Sequence, residues 1–506
     1  MITKRLRTCV AILAINFSFA LPGMSQIFKT PPVLYPSGGN LAEWVAVADV
    51  NKDGKPDVVV TNWDSGIGVL LGNGNGTFRP AVTYAATRGA DAVAVADLNG
   101  DDWPDLVVGA NDGAGGPWLS VLLNKGDGTF LPAVRYSSVG FDVTSVAVAD
   151  VDGDGKPDLV AANQCSDTNC NHSSLAVLLG NGDGTFRPAI TYTLSSGIAA
   201  AMSVVAADLD HDGLPDLLVA DTSSSGKGLV IVLLNKGDGT FPSQVTYQSG
   251  GTIPSSIIVG DVNADGNLDA VVTNLYYSGS VTSYGSVGVL RGHGDGTFGA
   301  PVVYKAGPSP ASVAIGDVNG DGKPDLVVSS APGKGCCGGV PNGKTGVLLN
   351  NGNGTFQTPA ITYGSGGRNA YSVALADVNL DGKPDLVVAD GCDGYNSECP
   401  LGGGVAVSLG LPARTTTTVT TSGTPSTFGQ SVTFTVAITS AYGPIANGAI
   451  VSFYDNSTKI GTASTTNGAA SFTTSSLKVG THTIKATYPS SAFFKTSSGT
   501  ITQVVN

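Results

Sequence analysis

A nine-residue segment rich in aspartate recurs seven times, and this repetition constrains the fold more than any other feature of the chain. The copies, numbered loops 1 to 7, read DVNKDGKPD, DLNGDDWPD, DVDGDGKPD, DLDHDGLPD, DVNADGNLD, DVNGDGKPD and DVNLDGKPD. They begin at Asp49, Asp97, Asp150, Asp208, Asp261, Asp317 and Asp377. Because their spacing is close to fifty residues, they predict a repeat architecture.

Each repeat contains four strand-sized segments. A run such as SVAVAD precedes the acidic loop, and a β-branched run such as PDLVVA follows it. The third segment ends in a glycine-rich turn of the form GNGNGTF, which joins antiparallel neighbours. The fourth, such as PAVTY, contains a proline that cannot donate to a sheet ladder, which predicts an edge strand. These prolines are Pro80, Pro132, Pro188, Pro242, Pro301 and Pro359.

Seven four-stranded units, none able to bury its faces alone, predict an all-β fold with a seven-bladed β-propeller. The ends of the array favour a closed ring. Residues 28–35 (FKTPPVLY) match a fourth strand with no unit before it, and residues 404–410 (GVAVSLG) match a third strand with no fourth after it. We expect the N-terminal strand to complete the last blade, which removes the open edges.

The loops offer oxygen atoms at positions 1, 3, 5, 7 and 9 and, in six copies, glycine at position 6. This pattern resembles the start of an EF-hand calcium loop, in which position 7 contributes its backbone carbonyl. We therefore expect up to seven structural Ca²⁺ ions, with loop 2 the weakest because Asp102 replaces the glycine. The alternative is that the loops are solvated Asx turns that bind nothing. The expected ligands are Asp49, Asn51, Asp53, Lys55, Asp57, Asp97, Asn99, Asp101, Trp103, Asp105, Asp150, Asp152, Asp154, Lys156, Asp158, Asp208, Asp210, Asp212, Leu214, Asp216, Asp261, Asn263, Asp265, Asn267, Asp269, Asp317, Asn319, Asp321, Lys323, Asp325, Asp377, Asn379, Asp381, Lys383 and Asp385.

Residues 1–25 have the basic start and short apolar core of a signal peptide, with cleavage after Ser25 or Ala20. We expect a secreted or cell-surface protein without a transmembrane segment after cleavage; retention of the signal as an anchor is the alternative. Six cysteines remain, which suggests disulfides in an exported chain. Cys165–Cys170 and Cys392–Cys399 are the simplest pairs, whereas Cys336 and Cys337 could pair with each other or elsewhere.

The motifs DxNxDGxPDLVV and VLLGNGDGTF resemble the FG-GAP/VCBS repeat, which forms the seven-bladed propeller of integrin α subunits and many exported bacterial proteins. The resemblance covers about residues 28–410. It implies calcium on one face of the propeller and ligand recognition on the other. The expected domains are a signal peptide (1–25), the propeller (26–411) and, in residues 412–506, a module similar to bacterial Ig-like domains. Seven strand-sized segments in that module predict a β-sandwich.

The connections between second and third strands carry aromatic residues that a ligand could contact. These candidates are Trp63, Trp118, Tyr276, Tyr277, Tyr284 and Tyr395. Packing between blades is the alternative. The net charge of −13 argues against nucleic acid as a partner. We expect a non-catalytic binding or adhesion protein with a glycan or protein ligand and an association with the cell surface. A lyase-like enzyme acting on polysaccharide, or a structural envelope protein, remains the alternative.

Overall fold

In the computed structural model, the described residues are 26–110, 116–167, 169–194, 200–277, 284–331, 343–358, 360–391, 403–412, 414–440, 445, 447–491 and 493–506. They are all-β, as predicted, and no helix among them could span a membrane. They form two compact units, Ile27–Pro412 with Ser490–Phe494 and Ala413–Pro489 with Lys495–Asn506.

The described residues of the first unit form 27 strands. They are β1 (Val33–Pro36), β2 (Ala42–Ala48), β3 (Asp57–Asn62), β4 (Gly66–Leu70), β5 (Val82–Tyr84), β6 (Ala90–Ala96), β7 (Asp105–Ala110), β8 (Trp118–Leu122), β9 (Val134–Ser137), β10 (Phe141–Ala149), β11 (Asp158–Cys165), β12 (Ser174–Leu178), β13 (Ile190–Thr193), β14 (Ala200–Ala207), β15 (Asp216–Thr222), β16 (Lys227–Leu233), β17 (Gln244–Gly260), β18 (Asp269–Tyr277), β19 (Gly285–Leu290), β20 (Val302–Gly307), β21 (Pro310–Gly316), β22 (Asp325–Ser330), β23 (Lys344–Leu348), β24 (Ile361–Gly364), β25 (Asn369–Ala376), β26 (Asp385–Gly391) and β27 (Gly404–Ser408).

These strands form antiparallel four-stranded groups, one for each repeat. Five groups are separate sheets: β2 to β5, β6 to β9, β10 to β13, β21 to β24, and β25 to β27 with β1. The other two share the long strand β17, which is the fourth strand of one group and the first of the next, so that β14 to β20 form one seven-stranded sheet. The repeat pattern of the sequence does not indicate this continuous strand.

The order of the groups closes on itself. The first strands contact one another in the series β2, β6, β10, β14, β17, β21 and β25, and β25 contacts β2. The N-terminal strand β1 pairs with β27, with Val33 opposite Val407, and thereby supplies the fourth strand of the last group. The predicted propeller architecture and its closure by the N-terminal strand are confirmed.

Burial explains why the strands have these sequences. All residues of β3 and β4 are buried, because the sheets pack face to face and cover both sides of these strands. Continuous β-branched and apolar runs are therefore needed there. The fourth strand, such as β5, is largely exposed at the sheet edge, and it begins two residues after Pro80. The described prolines thus precede the edge strands instead of lying within them, and Pro359 lies outside the described residues.

The second unit is a sandwich of two sheets. Its strands are β28 (Thr415–Thr421), β29 (Val432–Ser440), β30 (Ile450–Asp455), β31 (Thr458–Ser464), β32 (Ala469–Thr474), β33 (Gly480–Tyr488) and β34 (Ser497–Val505). One sheet has the order β28-β29-β32 and the other β31-β30-β33-β34. Phe434 and Phe453 are fully buried in this unit, and the Phe453 and Phe472 rings stack with centroids 5.2 Å apart. The predicted Ig-like sandwich is confirmed.

Candidate metal centres

Every acidic loop connects the first strand of a group to the second in the same way. The position-1 aspartate follows the last residue of the first strand, and the position-9 aspartate is the first residue of the second strand. In loop 1, for example, Asp49 follows β2 and Asp57 begins β3. Two ligand candidates in each loop are therefore held by rigid strands.

The position-1 carboxylate organises the loop by accepting backbone hydrogen bonds. Its Oδ2 accepts the N–H of position 6 in all seven loops, at 2.7 to 3.1 Å. Its Oδ1 accepts the N–H of position 5 in six loops, at 3.0 to 3.2 Å. In loop 4 the N–H of Asp212 donates instead to Oδ1 of Asp210. The chain thus curls around the carboxylate.

This curl requires left-handed backbone at two positions. Position 6 has positive φ in every loop, including Asp102 at 68°, which retains the hydrogen bond to Asp97. The glycine argument is confirmed, and aspartate tolerates this conformation better than most residues. Position 4 also has positive φ throughout, which sequence analysis missed. The residues there are Lys52, Gly100, Gly153, His211, Ala264, Gly320 and Leu380. Three glycines among the seven were the available signal.

The position-9 aspartate is fully buried in all seven loops. In loop 1, Oδ2 of Asp57 accepts the N–H of Val50 at 3.0 Å, and Oδ1 accepts the N–H of Gly72, beyond the third strand, at 2.7 Å. The other six aspartates make the same pair of bonds. Each oxygen retains a second lone pair that could face a cation. This residue is therefore both a structural link and a ligand candidate.

Burial raises the pKa of these position-9 carboxyls, and the neighbouring aspartates of the same loop raise it further, against the lowering effect of the backbone N–H groups. The pKa is raised to about 6 for Asp57, Asp105, Asp216 and Asp385. It is raised to about 7 for Asp325, and it is also raised for Asp158 and Asp269. A nearby cation would offset both effects.

Two loops bring three carboxylates together. In loop 3, oxygens of Asp150, Asp152 and Asp158 lie within 4.8 Å of one another, and in loop 4 those of Asp208, Asp210 and Asp216 do the same. Both sets consist of positions 1, 3 and 9. The other loops have asparagine at position 3, whose amide oxygen is neutral. These two clusters could hold a metal ion.

Loop 4 adds a second sign that its donor set fits a cation. Oδ1 of Asp208 is buried and accepts no hydrogen bond. An unpaired buried carboxylate oxygen is costly unless a cation or donor satisfies it. The potential metal ligands around it are oxygen atoms, which hard divalent cations such as Ca²⁺ prefer.

The predicted aromatic ligand-binding residues that the structure describes lie at the opposite ends of the sheets, where second strands end and third strands begin. Trp63 and Trp118 are half-buried, and Tyr284 is 60% exposed. The backbone of Trp63 is fixed, because its N–H donates to Leu41 and its carbonyl accepts the N–H of Gly89. Tyr276 and Tyr277 end β18. Tyr395 lies outside the described residues.

Of the predicted disulfides, Cys165–Cys170 is confirmed. Cys336, Cys337, Cys392 and Cys399 lie outside the described residues, as does the expected signal peptide. A set of aromatic contacts was missed by sequence analysis. The phenylalanine of each GTF turn packs edge-on against a tyrosine of the preceding group's fourth strand. The pairs are Tyr35–Phe78, Tyr84–Phe130, Tyr136–Phe186, Tyr192–Phe241, Tyr247–Phe298 and Tyr304–Phe356.

Comparison with solved structures returns distant similarities. BBS1N, solved in complex with ARL6DN, shares 12% identity with this chain; the match covers 76% of this chain and 98% of BBS1N, with a TM-score of 0.47. The periplasmic gluconolactonase PpgL of Pseudomonas aeruginosa shares 16% identity over 71% of this chain and 92% of its own, with a TM-score of 0.45. No curated protein matches the sequence.

Family comparison is more informative. The FG-GAP-like repeat matches residues 49–108, 97–161, 165–219, 210–272, 277–328 and 337–388, and the FG-GAP repeat matches residues 309–348. The bacterial Ig-like domain (group 3) matches residues 419–506. These matches include all seven acidic loops and most of the sandwich. The chain therefore belongs to the FG-GAP-like repeat family and carries a group 3 bacterial Ig-like domain at its C-terminal end.

Proposed function

We propose that this is an exported, calcium-stabilised binding or adhesion protein without catalytic activity. In this proposal the acidic loops hold structural Ca²⁺, and a glycan or protein ligand binds at the opposite ends of the sheets. Two observations carry the metal assignment. The bond from the position-6 N–H to the position-1 carboxylate repeats in all seven loops. In loop 4, where the position-5 N–H does not reach Asp208, the buried Oδ1 of Asp208 accepts no hydrogen bond.

Positions 1, 3, 5 and 9 would supply side-chain oxygens, and position 7 its carbonyl. A bound Ca²⁺ would supply positive charge that offsets the repulsion of three or four carboxylates in each loop. Since position 1 directly follows one strand and position 9 begins the next, an ion held by both would join these strands. Binding to the folded state alone would stabilise it by mass action.

The ligand face is supported by three residues at the strand ends opposite the loops: Trp63 directly follows β3, Trp118 begins β8 and Tyr284 directly precedes β19. Rigid strands hold such residues at little entropic cost, which favours binding. Tyr284 is the most accessible of the three. An aromatic ring exposed on a rigid scaffold is suited to stack on a sugar or to insert into a protein partner.

Thermal unfolding with Ca²⁺ and with EGTA tests the metal assignment. We expect a higher midpoint with Ca²⁺, together with bound calcium in native mass spectrometry. Equal midpoints and no bound ion would remove the calcium part of the proposal. Mg²⁺ serves as a control, because its smaller octahedral shell should fit these loops less well.

A glycan array and a pull-down, both with Ca²⁺, test the binding face. We expect Tyr284→Ser to weaken capture of the ligand. Phe428→Ser is the matched control, since Phe428 is an aromatic residue of the Ig-like unit with 66% exposure. Equal effects of both variants would contradict the assigned face, and cleavage of a polysaccharide would favour the enzyme alternative.

A further inference from the structure

Four of the seven loops have a lysine at position 7, and in each the ammonium group contacts the position-5 carboxylate of the same loop. Lys55 Nζ lies 3.0 Å from Asp53 Oδ2, and Lys156 Nζ lies 2.8 Å from Asp154 Oδ2. In loop 6 the corresponding distance is 3.5 Å, and in loop 7 the same two positions also form an ion pair. Loops 2, 4 and 5 have Trp103, Leu214 and Asn267 instead.

The position-5 carboxylate is thereby engaged at both oxygens. Its Oδ1 accepts the backbone N–H of position 7 in all seven loops, at 2.8 to 3.1 Å. Its Oδ2 meets the ammonium group only where position 7 is lysine. In loop 3, for example, Asp154 has both partners, whereas Asp212 of loop 4 accepts the backbone N–H of Leu214, whose side chain carries no ammonium group.

The glycine-rich turn of the same group directs the position-7 side chain. A Cβ added to Gly182 would lie 2.8 Å from Cδ of Lys156, so that the lysine stem passes directly over this glycine. In loop 4, a Cβ on Gly237 would lie 3.1 Å from Cδ1 of Leu214. Position 7 thus follows the same path in both loops, and a lysine at position 214 would have its ammonium group near Asp212.

We propose that the residue at position 7 determines how tightly each loop binds a divalent cation. The same residue determines how much the loop is destabilised when the cation is absent. The proposal rests on the calcium binding proposed above. A lysine reduces the net negative charge of its loop by one, which lessens repulsion among the carboxylates when no ion is bound. The same positive charge opposes a divalent cation that approaches the same carboxylates. Lysine loops therefore need calcium less and bind it more weakly.

Loops 3 and 4 form a matched pair for this inference. Both have four aspartates at positions 1, 3, 5 and 9, and both bring three of them within 4.8 Å. Only loop 3 has the lysine, and the unpaired carboxylate oxygen belongs to Asp208 of loop 4. We infer that loop 4 binds Ca²⁺ more tightly than loop 3. Loop 2 also has a lysine nearby, since Nζ of Lys52 in loop 1 lies 4.9 Å from the centroid of its Trp103 ring.

The test changes the position-7 residues Leu214 and Lys156, one at a time, in the full-length mature chain. Leu214→Lys should weaken Ca²⁺ binding at one of the tightest sites about tenfold at low ionic strength, and it should raise the melting temperature in EGTA. Lys156→Met should strengthen binding at one site by a similar factor and lower the melting temperature in EGTA. Leu214→Met and Lys156→Arg are controls that change the side chain without changing the charge. Calorimetric Ca²⁺ titration and melting in EGTA are the two measurements.

Because the effect is electrostatic, it should shrink as the salt concentration rises. Leu214→Lys and Lys156→Met could leave the Ca²⁺ affinities and the melting temperature in EGTA unchanged while the wild type still binds Ca²⁺. That result would overturn the proposed role of position 7 but not the calcium assignment. A wild type that takes up no Ca²⁺ would instead overturn the calcium assignment and this inference with it. If Leu214→Met and Lys156→Arg had the same effects as Leu214→Lys and Lys156→Met, side-chain packing and not charge would be responsible. That result would also overturn the inference.

Discussion

The ring of Phe28 packs edge-on against the ring of Tyr363, with centroids 5.6 Å apart and planes at 80°. The geometry matches the six other Tyr–Phe pairs that join neighbouring groups of the propeller. The last group has no GTF turn of its own, and Phe28 bridges to Gly410, where five of the other six groups bridge a turn phenylalanine. The N-terminal segment thus supplies an aromatic residue as well as a strand, and the seventh pair closes the ring.

This relationship predicts a local effect of Phe28→Ala. Phe28 is fully buried. Removal of a buried phenylalanine ring typically lowers the free energy of unfolding by about 3 to 5 kcal/mol, and we expect a value near the lower end, about 3 kcal/mol. Amide hydrogen exchange should increase first in β1 and β27, because their pairing depends on this anchor. Phe130→Ala removes a similar pair elsewhere and is the control. Equal exchange in β1 and β27 for both variants would contradict a special role in closure.

Loop 5 offers a test of the left-handed backbone at position 4. Ala264 has a φ of 62°, where alanine costs roughly 1 kcal/mol more than glycine, so Ala264→Gly should stabilise the protein by about that amount. Gly266 has a φ of 90°, and a Cβ there would meet nothing within 4 Å. Gly266→Ala should therefore destabilise by about 1 to 2 kcal/mol through the backbone alone. Chemical denaturation in EGTA measures both, and shifts of the same sign would contradict the explanation.

Much of this architecture could be predicted from sequence because each repeat carries its own local signals. Alternation, turn glycines and the prolines before the edge strands identify the four segments, and the unmatched ends at residues 28–35 and 404–410 predict the closure. The Tyr–Phe pairs could not be predicted with the same ease, since Tyr363 and Phe28 are far apart in sequence and only the closed ring brings them together. The strand β17 was missed because its fourth-strand and first-strand halves both have strand patterns.

Some features of the acidic loops could likewise be predicted from the sequence, and others could not. Their ligand positions follow from spacing alone, whereas the left-handed φ at position 4 could not be assigned where Lys52, His211, Ala264 or Leu380 stands there. None of these residues favours that conformation as glycine does, and the hydrogen bonds around the position-1 carboxylate impose it. The second role of the position-9 aspartate was also hidden, because its partner Gly72 belongs to a different strand connection.

Loop 3 allows the two roles of its aspartates to be separated. Asp158→Ala would leave the buried N–H groups of Val151 and Gly180 without their acceptor, each at a cost of about 1 to 3 kcal/mol. We expect this variant to be destabilised both with Ca²⁺ and with EGTA. Asp152→Ala changes a half-buried ligand candidate that accepts one long hydrogen bond, from Asp154. It should be destabilised mainly with Ca²⁺, and the difference in melting temperature between the two conditions decides the result.

A pH effect is expected in the Ig-like unit, where His482 lies between two acceptors. Its Nε2 is 2.7 Å from the carbonyl oxygen of Lys478, and its Nδ1 is 2.7 Å from Asp455 Oδ2. The carbonyl of Lys478 and, next, the Asp455 carboxylate raise the pKa of His482, because only the protonated ring donates to both.

Since the pKa of His482 is higher in the folded state, this residue stabilises the unit fully below the unfolded value of about 6.5. The contribution is lost as the pH rises through the folded pKa. In thermal unfolding at constant saturating Ca²⁺, the melting temperature of this unit should therefore decrease as the pH is raised from 6 to 8. His482→Gln should make the melting temperature less dependent on pH. Proton NMR titration of the ring supplies the direct check, with the His482 resonance identified by its loss in the variant. A resonance that titrates at or below about 6.5 would contradict the assignment, because the two acceptors would then give the charged ring no advantage over the neutral one.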